Sequence, residues 1–292
     1  MYELIQVTDR VYYVDCPAKM GLCLLDENRV LLVDSGGDKD AGKKVLKHLE
    51  TNGWTLAGVF NTHSHADHIG GNKLIAERTG APVYAPGVER AFTCWPELEP
   101  SFLYGGFPPV ALRNKFLQAQ PSMAQDTAEL ELPDGFERID LSGHSFRMEG
   151  LRTPDNVVFL ADCLSGENII EKYHVNFLYD VQGYLATLDR VEEMEADWFI
   201  PAHAPACQDI KPLVQANRAK VQEIAQVIEK ICEEPSTPEQ ILKAVFDHYD
   251  LKMDFNQYAL VGSTVRSYLS WLNGQGKIEA RFEENRLIWQ KV

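Results

Sequence analysis

Three imidazoles and a carboxylate fall within six residues of one segment, Thr62-His63-Ser64-His65-Ala66-Asp67-His68-Ile69-Gly70-Gly71. Imidazole nitrogens and carboxylate oxygens together suit zinc, iron or manganese. The segment follows an apolar strand candidate, Ala57 to Asn61, and leads directly into a helix candidate, Gly71 to Arg78. In an extended turn alternate residues point to one side, so His63 and His65 can reach the same ion. Asp67 and His68 then project elsewhere and can serve a second ion a few ångströms away. Gly70 and Gly71 let the helix begin close beneath the site. Polar groups crowded at a strand end are costly to bury unpaired, and a metal pairs them.

Two metals need further ligands. His144 lies in Ser142-Gly143-His144-Ser145, between two strand candidates, and His203 lies in Ile200-Pro201-Ala202-His203-Ala204, just after another. Asp162 ends the apolar run Val157 to Ala161, and a carboxylate emerging from such a strand is placed to bridge two ions. Five of the eight histidines are thereby assigned. His48 and His248 fall on helix candidates and are not expected to be ligands. Tyr173 and His174 are candidates to line a substrate pocket, the plainer reading of that stretch being a solvated loop. Cys163 points away from Asp162 on an alternating strand and reads as core.

The elements that must position these groups interleave strands and helices, which argues for packed α/β layers. Strand candidates are Val11 to Asp15, Leu22 to Asp26, Val30 to Asp34, Pro82 to Tyr84, Arg138 to Leu141, Phe146 to Leu151 and Trp198 to Pro201. Asp38 to Leu49, Tyr184 to Met194 and Lys211 to Ile231 have helical spacing. The catalytic domain is expected to span 1–231. Within it, residues 87–134 read as a lid-like insertion in which Phe102, Tyr104 and Phe107 are pocket candidates. Residues 232–292 read as helix, helix, hairpin, a small winged-helix-like domain.

The metal-loop segment resembles the His-x-His-x-Asp-His signature of the metallo-β-lactamase superfamily. The later elements follow in the same order: a Gly-His, a strand ending in Asp, then a final His. The resemblance runs over about residues 5 to 210 and points to the glyoxalase II-like hydrolase branch. It implies an αββα sandwich with the metals at one edge of the facing sheets. It further implies that His63, His65 and His144 hold one ion, that Asp67, His68 and His203 hold the other, and that Asp162 bridges them. Asp34 matches the strand-end aspartate that supports the metal loop in this family. One departure stands out. Where many relatives have Gly-His-Thr-Pro-Gly, this chain has Gly143-His144-Ser145-Phe146-Arg147, so the adjoining loop is expected to differ.

The chemistry implied is hydrolysis by a metal-bridging hydroxide, with Asp67 orienting it and carrying a proton. A small-molecule ester, thioester or lactone is the leading substrate class. The alternatives are a nuclease or phosphodiesterase, a mono-iron persulfide dioxygenase, and a non-enzymatic metal-sensing regulator. The cofactor expected is two divalent ions, zinc first, with iron or manganese as alternatives. A net charge of -15 repels phosphate backbones. From Cys232 onward seven Lys and Arg face nine Asp and Glu, whereas a nucleic-acid reader needs a basic face. No nucleic-acid partner is therefore expected, and the C-terminal unit reads as a packing or dimerisation module, with a homodimer in view. Scattered cysteines without a Cys-x-x-Cys pair, no secretory leader and no run of about 20 apolar residues point to a cytoplasmic, non-membrane protein.

Overall fold

The computed structural model describes residues 2–292. Strands β1 (Glu3–Gln6), β2 (Val11–Asp15), β3 (Met20–Leu24) and β4 (Arg29–Val33) form an antiparallel meander. Helix α1 (Lys39–Asn52) then crosses over to β5 (Thr55–Phe60), which pairs parallel with β4. The Asp38 carboxylate starts α1 by accepting from the Asp40 and Ala41 amides, and left-handed Gly53 ends it. After α2 (Ala66–Ile69) and α3 (Asn72–Thr79), β6 (Val83–Ala85) joins β5 in parallel. Helices α4 (Glu89–Cys94) and α5 (Leu98–Tyr104) precede β7 (Ala124–Asp126), which pairs parallel with β6 at the sheet edge. The resulting sheet has seven strands in the order of the chain.

The second sheet contains β8 (Glu137–Asp140), β9 (Glu149–Arg152), β10 (Val157–Ser165) and β11 (Trp198–His203), in the order β11-β10-β9-β8. Between β10 and β11 run α6 (Glu167–Tyr173) and α7 (Val181–Glu192). The chain closes with α8 (Lys211–Ile231), α9 (Pro238–His248), α10 (Phe255–Gly274) and a hairpin of β12 (Ile278–Glu283) and β13 (Arg286–Lys291).

Strand alternation explains the layers. In β4, Leu31 and Val33 face the second sheet, while Val30 and Leu32 face α1 and α3. In β10, Val157 and Phe159 meet the first sheet, while Val158 and Leu160 meet α7 and α8. A strand covered on both faces needs continuous apolar sequence, which is what Val-Leu-Leu-Val and Val-Val-Phe-Leu supply. Helix, sheet, sheet and helix therefore stack as the expected αββα sandwich. The sheets come close at Gly21, where an added Cβ would lie 2.5 Å from the Phe159 ring.

The C-terminal segment has the expected helix, helix, hairpin order. Its Ile241, Val245, Val265, Tyr268 and Leu272 join Leu164, Leu188, Val214 and Ile228 in one apolar cluster. It is therefore packed on the outer face of the second sheet through α7 and α8. Residues 87–134 contain short helical pieces, and Leu103, Leu112 and Leu117 bury against Ala259 of α10. The end of that stretch supplies β7, whose Ala-Gln-Asp carries no apolar alternation to announce it. All six cysteines are free. Among the described residues no helix is long and apolar enough to cross a membrane.

Candidate metal centre

β4 and β5 are parallel neighbours, so their C-terminal ends emerge side by side. Asp34 leaves β4 with φ 58°, a left-handed conformation that is strained for a residue with a side chain. The turn aims its carboxylate at the loop leaving β5. Asp34 Oδ1 accepts the Thr62 backbone N–H at 2.8 Å, and Oδ2 accepts the Thr62 hydroxyl at 2.8 Å. His68 Nδ1 lies 2.8 Å from the same Oδ2, and His63 Nδ1 lies 3.0 Å from Thr62 Oγ1. Each of these Nδ1 atoms is thus placed to donate its proton outward, which turns both Nε2 atoms toward the centre. Gly70 and Gly71 seat the loop. A Cβ at Gly70 would lie 2.3 Å from the Gly37 carbonyl carbon, and one at Gly71 would lie 2.3 Å from the Ser35 oxygen.

The other groups arrive from the second sheet. Gly143 sits at φ 127° against the Tyr184 backbone and delivers His144 from the β8–β9 connection. In β10 the register with β11 shifts on both sides of Ala161, which has φ 49°. This bulge re-aims Asp162 out of the strand, as bulges beside functional sites do. His203 ends β11, and its Nδ1 donates to the Pro17 carbonyl at 2.7 Å, again turning Nε2 toward the centre.

These residues converge as two groups sharing Asp162: His63, His65 and His144 with Asp162, and Asp67, His68 and His203 with Asp162. His65 Nδ1 lies 3.0 Å from His63 Nε2 and 3.1 Å from His144 Nε2. Asp162 Oδ2 lies 3.8 Å from His63 Nε2, 3.5 Å from His144 Nε2 and 3.3 Å from His203 Nε2. Asp162 Oδ1 lies 2.9 Å from His68 Nε2, and Asp67 Oδ2 lies 3.2 Å from His203 Nε2.

The residues fit divalent ions by a test independent of resemblance. His68 Nε2 and Asp162 Oδ1 are buried, lie 2.9 Å apart without hydrogen-bond alignment, and have no other partner, a costly state that ions relieve. Electrostatics agree. Burial pulls the His63 imidazole well below its ordinary value, and burial takes His144 down to about 3, so both are neutral, as ligands must be. Burial opposes charge on Asp162, but His203 and His68 overcome it and hold its carboxyl well below the usual range. Reciprocally, burial opposes protonation of His203, yet Asp162 and Asp67 lift it to about 10. The two carboxylates thus demand positive charge at the second position, which protons or a cation can supply.

Two groups that the sequence reading missed hold this arrangement. Glu89 of α4, 1% exposed, accepts from Ser64 N at 3.1 Å, Ser64 Oγ at 2.5 Å and Arg147 N at 3.0 Å. It ties the His63–His65 loop to the His144 loop. Phe177 sets its ring edge-on to His65 and His144, with centroids at 5.3 and 5.7 Å. A Glu opening a helix and a Phe in a loop carry no metal signal of their own.

The centre floors a cleft of about 510 Å³ whose walls include Phe116, Leu117, Tyr173, Phe177 and Leu260. Tyr173 is thus the one pocket candidate on the cleft. Phe102 instead joins an aromatic cluster with Phe92, Phe146 and Tyr179. Tyr104 and Phe107 are exposed, and Arg113 lies over the Phe107 ring at 5.1 Å. His174 stacks on Tyr249 at 4.7 Å, facing α9 and not the cleft. The insertion reaches the cleft through Glu99, Lys115, Phe116 and Leu117, and not through the aromatics singled out by size.

Residues 18–203, well over half of the chain, match the family described as the metallo-beta-lactamase superfamily. The chain belongs to the metallo-beta-lactamase superfamily. Among curated proteins this superfamily member is similar to a hydroxyacylglutathione hydrolase of Erythrobacter litoralis, 46% identical over 70 residues, 22% of this chain and 28% of that protein. A hydroxyacylglutathione hydrolase of Pelagibacter ubique is 40% identical over 67 residues, 21% of this chain and 28% of that protein. The chain thus matches about 28% of the length of these relatives. Among solved structures, a beta-lactamase domain protein from Burkholderia ambifaria shares the fold at TM-score 0.77 and 16% identity, over 99% of this chain and 94% of that one. A metallo-beta-lactamase family protein from Thermus thermophilus does so at 0.74 and 17%, over 98% and 100%. At that coverage the shared fold includes the C-terminal segment.

Proposed function

We propose that this superfamily member is a hydrolase holding two divalent ions, zinc first, that cleaves a small-molecule thioester, ester or lactone. The observation that carries the reading is the pair of ligand groups sharing Asp162 at the floor of an apolar-walled cleft. His63 Nε2, His65 Nδ1 and His144 Nε2 would hold one ion, and Asp67, His68 Nε2 and His203 Nε2 the other. Divalent ions there supply Lewis acidity toward a carbonyl oxygen and an activated water for attack. Asp67 faces the cleft, its side chain 49% exposed while one oxygen meets His203. From that place it accepts the proton of the attacking water and returns it to the leaving group. Phe116, Leu117 and Phe177 exclude water and accept an apolar acyl or thiol portion.

A thioester leads within the class because similar proteins bear the name hydroxyacylglutathione hydrolase. Charge supports a small substrate over RNA: Lys115 is the one Lys or Arg among the cleft-lining residues, beside Asp38, Asp67, Glu99 and Asp162. The test is a panel of thioester, lactone, phosphodiester and persulfide substrates assayed with metal-loaded protein. We expect thioester or ester cleavage that chelator abolishes and added metal restores. Turnover confined to the phosphodiester, or oxygen uptake with the persulfide, would contradict it.

A further inference from the structure

Four imidazoles of the centre can be compared by which nitrogen faces the ligand cluster. His63, His68 and His203 present Nε2, and their Nδ1 protons are taken by Thr62, Asp34 and the Pro17 carbonyl. His65 is turned the other way. Its Nδ1 meets His63 and His144, so in a ring that ligates through Nδ1 the outward-facing Nε2 carries the proton. The acidic group that faces that nitrogen in ion-pair geometry is Glu99 Oε1, at 3.7 Å. Glu99 is itself anomalous. It comes from α5 in the segment over the site, is 7% exposed, and lines the cleft beside His65. Both groups line the cleft, so a direct hydrogen bond between them would take the place of contacts with water. Their separation is one that a small side-chain rotation closes to hydrogen-bonding distance.

We propose that Glu99 is a positioning residue of the metal centre, taking the His65 Nε2–H and holding that imidazole in the orientation that presents Nδ1. Glu99 then differs from Glu89, which fixes loop backbone, because it acts on a ligand ring directly. The consequence is specific. The first ion's site is completed by the segment that also walls the cleft through Lys115, Phe116 and Leu117, so seating of that segment and affinity for that ion are linked. Carboxylates that orient metal-bound histidines in this way typically change metal affinity by about 10–100-fold.

The inference rests on the two-ion reading and not on any substrate. Glu99→Leu and Glu99→Gln proteins are compared with wild type by chelator competition and by the visible spectrum of the cobalt(II)-loaded form. We expect Glu99→Leu to weaken one of two ions by about 10–100-fold and to change the cobalt spectrum, with the other ion held normally. Glu99→Gln keeps an acceptor oxygen and should lie much nearer wild type. Wild-type affinity and spectrum in folded Glu99→Leu would overturn the proposal, as would Glu99→Gln matching Glu99→Leu. If Glu99→Leu does not fold, zinc-loaded wild type and Glu99→Gln decide: a protected His65 ring N–H resonance must be present and must shift between them, and its absence overturns the proposal. Wild type that binds fewer than two ions defeats the two-ion reading itself, a different outcome from a wild type with two ions and an indifferent Glu99.

Discussion

Asp162→Asn is expected to lower kcat/KM by about three orders of magnitude while the protein stays folded. The Asp162 carboxylate lies within 3.8 Å of His63, His144, His203 and His68, so both ligand groups depend on it. Asparagine has nearly the same shape but no charge, and its amide nitrogen is a donor where a ligand oxygen is needed. Losing one preorganised electrostatic group from a buried centre typically costs about 3–4 kcal/mol in the transition state. At 1.36 kcal/mol per tenfold, a loss of about 4 kcal/mol in transition-state stabilisation is about three orders of magnitude in rate. The β10 backbone pairing does not involve this side chain, so the midpoint of thermal unfolding should move by only a few degrees. Metal analysis, kinetics and a thermal melt on one preparation check this. Normal metal content with normal turnover would remove Asp162 from the centre.

Glu89→Ala is expected to damage stability and activity together. Alanine leaves the Ser64 and Arg147 amides and the Ser64 hydroxyl without their acceptor. Hydrogen bonds to a charged group contribute about 1.5–3 kcal/mol each, and part is recovered by relaxation or water, so a net loss of about 3 kcal/mol is reasonable. In a chain of this size that lowers the melting midpoint by about 5 °C. Because Ser64 lies between His63 and His65, the ligand rings lose registration, and kcat/KM should fall about 100-fold even below the melt. Glu89→Gln, which keeps an acceptor oxygen for one of the loops, should fall between. A Glu89→Ala protein with unchanged melting and kinetics would show that the two loops hold themselves.

The metal loop is legible in sequence because its chemistry is dense there: four potential ligands in six positions, with glycines where the backbone must approach closely. His144 is legible from its place between two strands, and Asp162 and His203 from the apolar runs that carry them, although β10 continues past Asp162 to Ser165; the parallel β10–β11 pairing brings the latter two together. The layers are legible where strands are buried on both faces, as in β4 and β10. Sequence speaks least where tertiary contact alone gives a residue its role. Glu89 and Glu99 sit on short helices as ordinary acidic residues, and their burial is decided by how residues 87–134 fold over the loop. Of the pocket aromatics read from sequence, Tyr173 reaches the cleft while Phe102, Tyr104 and Phe107 do not, for the same reason. Phe102 stands out by size, yet it packs with Phe146 and Tyr179, while Phe116 and Phe177 face the cleft. β7 is invisible because an edge strand of three polar or small residues pairs through its backbone only.

The most direct test of the account is the metal content of protein purified without chelator and then equilibrated with excess zinc, iron or manganese and desalted. Two ions per chain are expected, with chelator removing both activity and metal and with a return of each on reloading. A reproducible stoichiometry of one, unchanged by added metal, would contradict the shared-Asp162 centre and leave a mononuclear site in its place.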